Sequence, residues 1–166
     1  EEDILAAIES VRRKEAKLTR MLLPYAYDIS QKVITYIKKS EFVEEVYPLG
    51  SLRRMVSTIG DVDLAISSDH ASEVIDYFHK YQEIAKVIDK GDESTSVVLK
   101  NGAQVDIMIQ PVKAFGALLQ HFTGSKHHNI ALREFALKKG MSLSEHGIKK
   151  SGKTNTFSKE DKFYNF

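Results

Sequence analysis

Residues 60–66 read Gly60-Asp61-Val62-Asp63-Leu64-Ala65-Ile66. In a strand, successive side chains leave on opposite faces, so Asp61 and Asp63 project together while Val62, Leu64 and Ile66 face a core. Gln104-Val105-Asp106-Ile107-Met108-Ile109 repeats the arrangement, with Val105, Ile107 and Ile109 inward and Asp106 outward. Where two such strands neighbour each other, three carboxylates meet on one patch of sheet. Anions that close repel one another unless a hard cation lies among them, and an all-oxygen donor set suits Mg2+. Two-metal phosphoryl chemistry uses ligands of this kind. The plainer reading of the same residues is a polar sheet face.

Around these strands the pattern is mixed. Ile4, Ile8, Val11, Leu18 and Leu22 repeat at helical spacing and predict a helix over 3–20. A second helix is expected over 24–39, with Pro24 in its first turn and Ile29, Val33, Ile34 and Ile37 inward. Extended chain at 42–49 runs through Gly50-Ser51 into a short helical segment. A strand at 61–67, a helix around 70–81 and extended stretches near 84–88, 94–100 and 103–110 follow. Pro111 ends the last strand, since proline has no amide proton for a sheet ladder. Residues 112–139 turn helical with a break at Thr123-Gly124-Ser125, Gly140 closes the helix, and 141–150 alternates like a strand.

The chain has 166 residues, 42% of them apolar, and no cysteine, so disulfides and thiolate metal sites are excluded. No apolar run approaches the roughly 18 residues of a membrane helix. A cytoplasmic location is expected. Residues 1–110 hold 14 Lys and Arg against 19 Asp and Glu, whereas residues 111–166 hold 10 against 4. An acidic half beside a basic half suits a polyanion held against a cation-binding cluster; a solvated surface with segregated charge is the alternative. The first residue is Glu1 and the last six are Asp161-Lys162-Phe163-Tyr164-Asn165-Phe166, which reads as a piece of a longer protein.

Upstream of the acids lies Leu49-Gly50-Ser51-Leu52-Arg53-Arg54. Glycine then serine at a strand-to-helix passage offers backbone amides and a hydroxyl to an anion, or simply a helix cap. Arg53 and Arg54 add the bidentate donors that a triphosphate accepts. The order carries the specificity: Gly-Ser, then Asp-x-Asp ten residues on, then one Asp on an apolar strand. This order, together with Phe122-Thr123-Gly124-Ser125 followed by Asn129 and Arg133, resembles the nucleotidyltransferase superfamily that includes DNA polymerase β. It is closest to the bacterial type of family X DNA polymerases. The likeness covers about 20–150.

The resemblance implies an α+β fold: a palm whose mixed sheet carries the three Asp flanked by helices, plus a small α+β thumb. It divides the chain into 1–40 (end of the fingers), 41–111 (palm) and 112–166 (thumb). It implies that Asp61 and Asp63 bind both of two Mg2+ ions, for which Mn2+ substitutes, and that Asp106 binds the catalytic one beside a primer 3′-hydroxyl. Ser51, Arg54, the backbone of Gly60 and Arg20 are implied for the triphosphate, Phe122 and Gly124 for sugar and base, Asn129 for the base edge and Arg133 for the template strand. His121 stands where eukaryotic members have tyrosine beside the sugar, and Lys126 where they have an acid near the incoming base. Helix periodicity independently places Lys126, Asn129 and Arg133 on one face and Ala131, Leu132 and Phe135 on the other, core-packing face. His127 and His128 diverge by about 100° and do not share one ion; His128 is expected on the buried side.

The expected function is DNA-directed DNA polymerisation, adding a dNMP to a primer 3′-end in gapped DNA during repair, by a monomer in the nucleoid. No helix-hairpin-helix glycine motif, lyase-like domain or phosphoesterase motif is read in the sequence, so weakened DNA affinity and no exonuclease are expected. Two rivals remain. One is a template-independent nucleotidyltransferase on RNA or a small molecule; the other is an inactive truncated DNA-binding module. Lys126 adds positive charge where the nucleotide is expected, so Lys126→Asp should weaken dNTP affinity. An equilibrium titration of primed DNA with dNTP checks this, and an unchanged Kd excludes the role.

Overall fold

The structure is a computed structural model describing residues 20–166. Its elements run β1 (Met21–Leu22), α1 (Leu23–Ile37), β2 (Glu45–Pro48), α2 (Gly50–Arg53), β3 (Thr58–Ile59), β4 (Val62–Ser67), α3 (Ala71–Phe78), β5 (Ile84–Lys90), β6 (Ser94–Leu99), β7 (Gln104–Gln110), a 3-10 turn (Val112–Ala114), α4 (Phe115–Thr123), α5 (Lys126–Lys138), β8 (Met141–Ser144), β9 (Gly147–Lys150), β10 (Lys153–Asn155) and α6 (Glu160–Tyr164). The helix expected over 3–20 lies outside the described residues, except that Leu22, assigned to its apolar stripe, is an exposed strand residue in β1. β1 pairs with β3, Met21 opposite Ile59, a short ribbon with no alternation long enough to read from sequence.

The main sheet has the order β2-β4-β7-β6-β5. β4 and β7 are parallel and the other pairs antiparallel, so this is a mixed sheet in an α+β fold. Its two faces are covered differently. Val62, Leu64 and Ile66 of β4 with Val105, Ile107 and Ile109 of β7 point to one face, and all six are buried. There Ala26, Ile29, Val33 and Ile37 of α1 and Val74, Ile75 and Phe78 of α3 close the larger core. Burying Phe78 completely contributes about 2–3 kcal/mol. The opposite face carries Asp63 and Asp106, then Ala65 and Met108 one step along. Leu118, Leu119 and Phe122 of α4 cover Ala65 and Met108 together with Leu49 and Phe115. The acids therefore stand where the cover of α4 stops.

After α4 a second, smaller core joins Ala117, Ile148, Phe157 and Phe163, with Leu132, Met141 and Leu143 packed against it. Residues 141–150 are two strands rather than one. Glu145-His146 turns β8 back on β9, and β10 completes a three-stranded antiparallel sheet. The alternation was real, but a polar turn inside a short alternating run does not announce itself. α5 is also rotated from the expected orientation: Ala136 is buried and Leu132 half-buried, while Ala131 is exposed and Phe135 is 56% exposed beneath the Lys139 ammonium. That ring faces solvent with a cation–π contact to Lys139 in place of a core contact. His128 is likewise exposed, its Nε2 3.1 Å from the Tyr164 hydroxyl on α6.

α6 reaches α4 through a very close approach. The Gly116 amide donates to the Phe157 carbonyl at 2.8 Å, and a Cβ on Gly116 would overlap the backbone of Lys159. Glycine to alanine inside a helix ordinarily stabilises by about 1 kcal/mol. Here Gly116→Ala should instead lower the unfolding free energy by about 1–3 kcal/mol, the scale of an overpacked contact. Urea denaturation gives the sign.

Candidate active site

β4 and β7 lie side by side and parallel with Asp63 opposite Asp106, so register alone brings these carboxylates together. Asp61, at the entry to β4, leaves on the same side. Carboxylate oxygens of all three approach within 4.8 Å of one another, and all three residues are half-buried. Burial first, then the charges of Asp61 and Asp106, push the Asp63 carboxyl up to about 7, with Arg54 pulling the other way. Burial and like charge both disfavour the anion. A divalent cation among three hard oxygens removes that penalty, so the donor set fits Mg2+ or Mn2+. Gln104, two residues from Asp106 on the same sheet face, donates its Nε2 to both Asp106 oxygens at 2.9 and 3.1 Å. Gln104 carries no role in the sequence reading, although strand period two already placed it on the acid face.

The Gly50-Ser51 turn is built against this cluster. The Leu49 amide donates to the Asp63 carbonyl at 2.8 Å, which lays the start of α2 beside Asp63. Gly50 has φ +52°, and a Cβ there would run into the Asp63 carboxylate. Both reasons demand glycine. The N-cap position of α2 is Leu49 and makes no side-chain cap bond, so Ser51 does not serve as the helix cap. Arg54 acts electrostatically on Asp63 and donates Nη1 to the Thr123 carbonyl, close to Gly124, tying the acid cluster to the end of α4. The peptide between Gly124 and Ser125 is cis. On the other side, Arg20 donates to the hydroxyl and carbonyl of Thr58 and lies beside Gly60.

Arg53 departs from the expectation that it adds charge for a triphosphate. It forms a two-point bridge to Glu160 of α6, 3.2 and 2.7 Å, and also donates to the hydroxyl of Thr123. Both partners of the bridge are largely shielded from solvent, and the arginine is a fastener between α2, α4 and α6. Both arginines reach Thr123, Arg53 at its hydroxyl and Arg54 at its carbonyl, but only Arg53 goes on to Glu160.

His121, Phe122, Asn129 and Arg133 gather where α4 meets α5. Phe122 packs on the core beneath α4 with the His121 ring 4.8 Å from its own. Asn129 donates Nδ2 to the His121 carbonyl at 2.6 Å and accepts at Oδ1 from Gln120 at 3.1 Å. Gln120, 3% exposed, is a second residue with no role in the sequence reading; its signal was an amide inside the apolar run from Phe115 to Phe122. Arg133 Nη2 lies 3.3 Å from both ring nitrogens of His121. Burial holds His121 below its ordinary pKa; Glu145 opposes this, and Arg133 and His146 reinforce it. Lys126 is exposed at the start of α5, where Ser125 caps the helix, accepting from the His128 amide.

Residues 118–166 match the DNA polymerase beta thumb family. Over 168 residues the chain is 33% identical to DNA polymerase/3'-5' exonuclease PolX of Bacillus subtilis (strain 168), covering 99% of this chain and 29% of that protein. It is 32% identical over 117 residues to DNA polymerase lambda of Rattus norvegicus, covering 60% of this chain and 20% of the relative. The chain thus spans less than a third of the length of either. With an aspartate triad on the sheet and a thumb match after it, the chain resembles the family X DNA polymerases.

Proposed function

We propose that this chain is the palm-and-thumb core of a DNA-directed DNA polymerase, with the palm at 41–111 and the thumb at 112–166. It takes primed or gapped DNA and a dNTP, works as a monomer, and serves gap filling in repair in a nucleoid-associated, cytoplasmic setting. The observation that carries the reading is the register that sets Asp63 opposite Asp106 with Asp61 beside them. Among the described residues, no helix is long and apolar enough to cross a membrane.

In this reading Asp61 and Asp63 hold two divalent cations and Asp106 holds the one nearer the primer end, oriented by Gln104. Bound there, divalent cations would lower the pKa of an attacking hydroxyl and offset the charge of the nucleotide's phosphates. Arg54, Ser51, Arg20 and the Gly60 backbone hold the triphosphate. Asn129 and Arg133, fixed against α4 by Gln120 and His121, meet the base pair and the template strand, while Phe122 and Gly124 line the nucleotide. The amide network supports a template-reading role over a template-independent one, because it holds two polar groups of one helix in a set orientation.

Primer extension on a one-nucleotide-gapped duplex with Mg2+ or Mn2+ tests this. Template-matched addition is expected, falling by about a thousandfold in Asp106→Ala, the scale of losing one preorganised electrostatic group. No extension even at low salt, where phosphate contacts are strongest, would favour the inactive truncated module.

The raised Asp63 pKa gives a second expectation. Its folded value of about 7 lies above the ordinary 3.8, so between those values the folded chain binds more protons than the unfolded one. Stability of the cation-free chain should therefore fall as pH rises from about 4 to 7 and stay lower above that. Asp63→Asn should recover on the order of a few kcal/mol at pH 8 and almost nothing at pH 4. Mg2+ should stabilise the parent at pH 8 but not the variant. Urea denaturation with a chelator, and then with added Mg2+, reads both effects.

A further inference from the structure

The hairpin joining β9 and β10 carries a charge arrangement that the catalytic reading leaves unused. Its two-residue turn, Ser151-Gly152, has both residues at positive φ, 50° and 80°. That backbone matches the twist of paired strands and makes the tightest kind of hairpin. Glycine adopts it freely, whereas serine accepts it at a cost. The result sets Lys150 directly opposite Lys153 as the closing pair. Like charges in directly opposed positions destabilise a hairpin. No acid relieves them: among the described residues, Lys149, Lys150 and Lys153 take part in no ion pair.

The patch extends beyond the tip. Met141 pairs with Lys150, so the end of α5, with Lys138 and Lys139, adjoins the same lysines. Lys149 is flanked across the strands by the hydroxyls of Ser142 and Thr154, both exposed. Half-exposed Phe166 lies under the Lys150 ammonium, 5.5 Å from it, and Phe135 under that of Lys139, 4.9 Å away. Strand alternation puts Lys149 with Ser142 and Thr154 on one side of the hairpin and Lys150 with Lys153 on the other, so lysines and hydroxyls flank its tip from both sides, and these are groups that a phosphodiester backbone engages. The surface begins where α5 ends, and α5 opens beside the acid-bearing sheet. Thirteen residues of helix, about 20 Å, separate the two.

We propose that the Lys149–Lys153 hairpin is a second DNA contact, gripping the phosphate backbone of the bound DNA about 20 Å along α5 from the aspartates. This rests on the polymerase reading above. The occupant is DNA rather than an acidic protein because residues 111–166, which hold 10 Lys and Arg against 4 Asp and Glu, follow directly on the acid-bearing sheet where the polymerase reading seats DNA.

The test measures Kd for a gapped duplex between 50 and 200 mM salt for the parent, for Lys150→Gln/Lys153→Gln, and for Lys90→Gln as control, since Lys90 is already paired with Asp76 on the palm. Each phosphate contact contributes about −0.9 to the slope of log K against log salt on duplex, or about −0.7 on single strands. The double variant should bind several-fold more weakly at 100 mM salt, with its slope shallower by about 1 to 2. Its extension rate at saturating DNA and its melting temperature should be no lower than the parent's. The control should keep the parent slope. If the double variant melts lower, Lys153→Gln alone should show about half the change in slope. A parent that binds DNA while the lysine variants keep its slope overturns this inference and leaves the polymerase reading standing; an acidic-protein surface would give that result. A parent with no salt-dependent DNA binding removes both.

Discussion

Asp63 and Asp106 face each other across adjacent parallel strands, and nothing in a sheet ladder can move them apart without slipping the register. A slip of one residue would send Val62, Leu64 and Ile66 to the other face along with the acids. The buried side of β4 and β7 therefore enforces the proximity of the charges, and burial first, with that proximity second, raises the Asp63 pKa. The hydrophobic core on one face stores electrostatic repulsion on the other. The three oxygen donors the sheet gathers there suit a hard cation.

The surroundings of the triad are arranged by contacts that tie separate elements to it. Gly50 admits α2 against the Asp63 carboxylate, and the Leu49 amide fixes the approach. Arg54 then connects α2 to the Thr123 carbonyl, and Arg53 connects it to Glu160. Two adjacent arginines thus divide between the acid cluster and the fastening of α6. Partial shielding makes the Arg53–Glu160 bridge more than a surface ion pair, and removing either partner would strand the other charge. The position of α4, and with it His121, Phe122 and Gly124, depends on these ties as much as on the apolar contacts under it.

Much of this was legible in the sequence because strand period two is strict. The alternation around Asp61, Asp63 and Asp106 located both strands and the face of each acid, and Gly50 marked the close turn. Period 3.6 proved less exact on α5. Phe135 looked like a core residue, yet its ring faces solvent in contact with Lys139, so hydrophobicity alone chose the wrong face. The two-strand nature of 141–150 was hidden because a two-residue polar turn leaves the alternation undisturbed. Arg53 could not be separated from Arg54 by residue type, since only the position of Glu160, 107 residues away, distinguishes them.

The residues at the α4–α5 junction were legible as a pattern but not as a mechanism. A side-chain amide on a helix next to open space has two equivalent-looking ends and many rotamers, and it makes a poor reader of hydrogen-bond edges. The orientation of Asn129 is fixed, because buried Gln120 presents Nε2 to its oxygen while the His121 carbonyl takes its nitrogen. Leaving the Gln120 amide unpaired would cost about 1–3 kcal/mol, so the pair resists rearrangement. Arg133 Nη2 lies 3.3 Å from both ring nitrogens of His121, one of which accepts from it in the neutral ring, the form that burial favours by lowering the His121 pKa. A protonated His121 would repel the guanidinium, so the burial that lowers its pKa also maintains the arginine's seat. The acid cluster is set by strand register and this junction by hydrogen bonds, and the last turn of α4, where the Thr123 carbonyl receives Arg54 and the His121 carbonyl receives Asn129, joins the two.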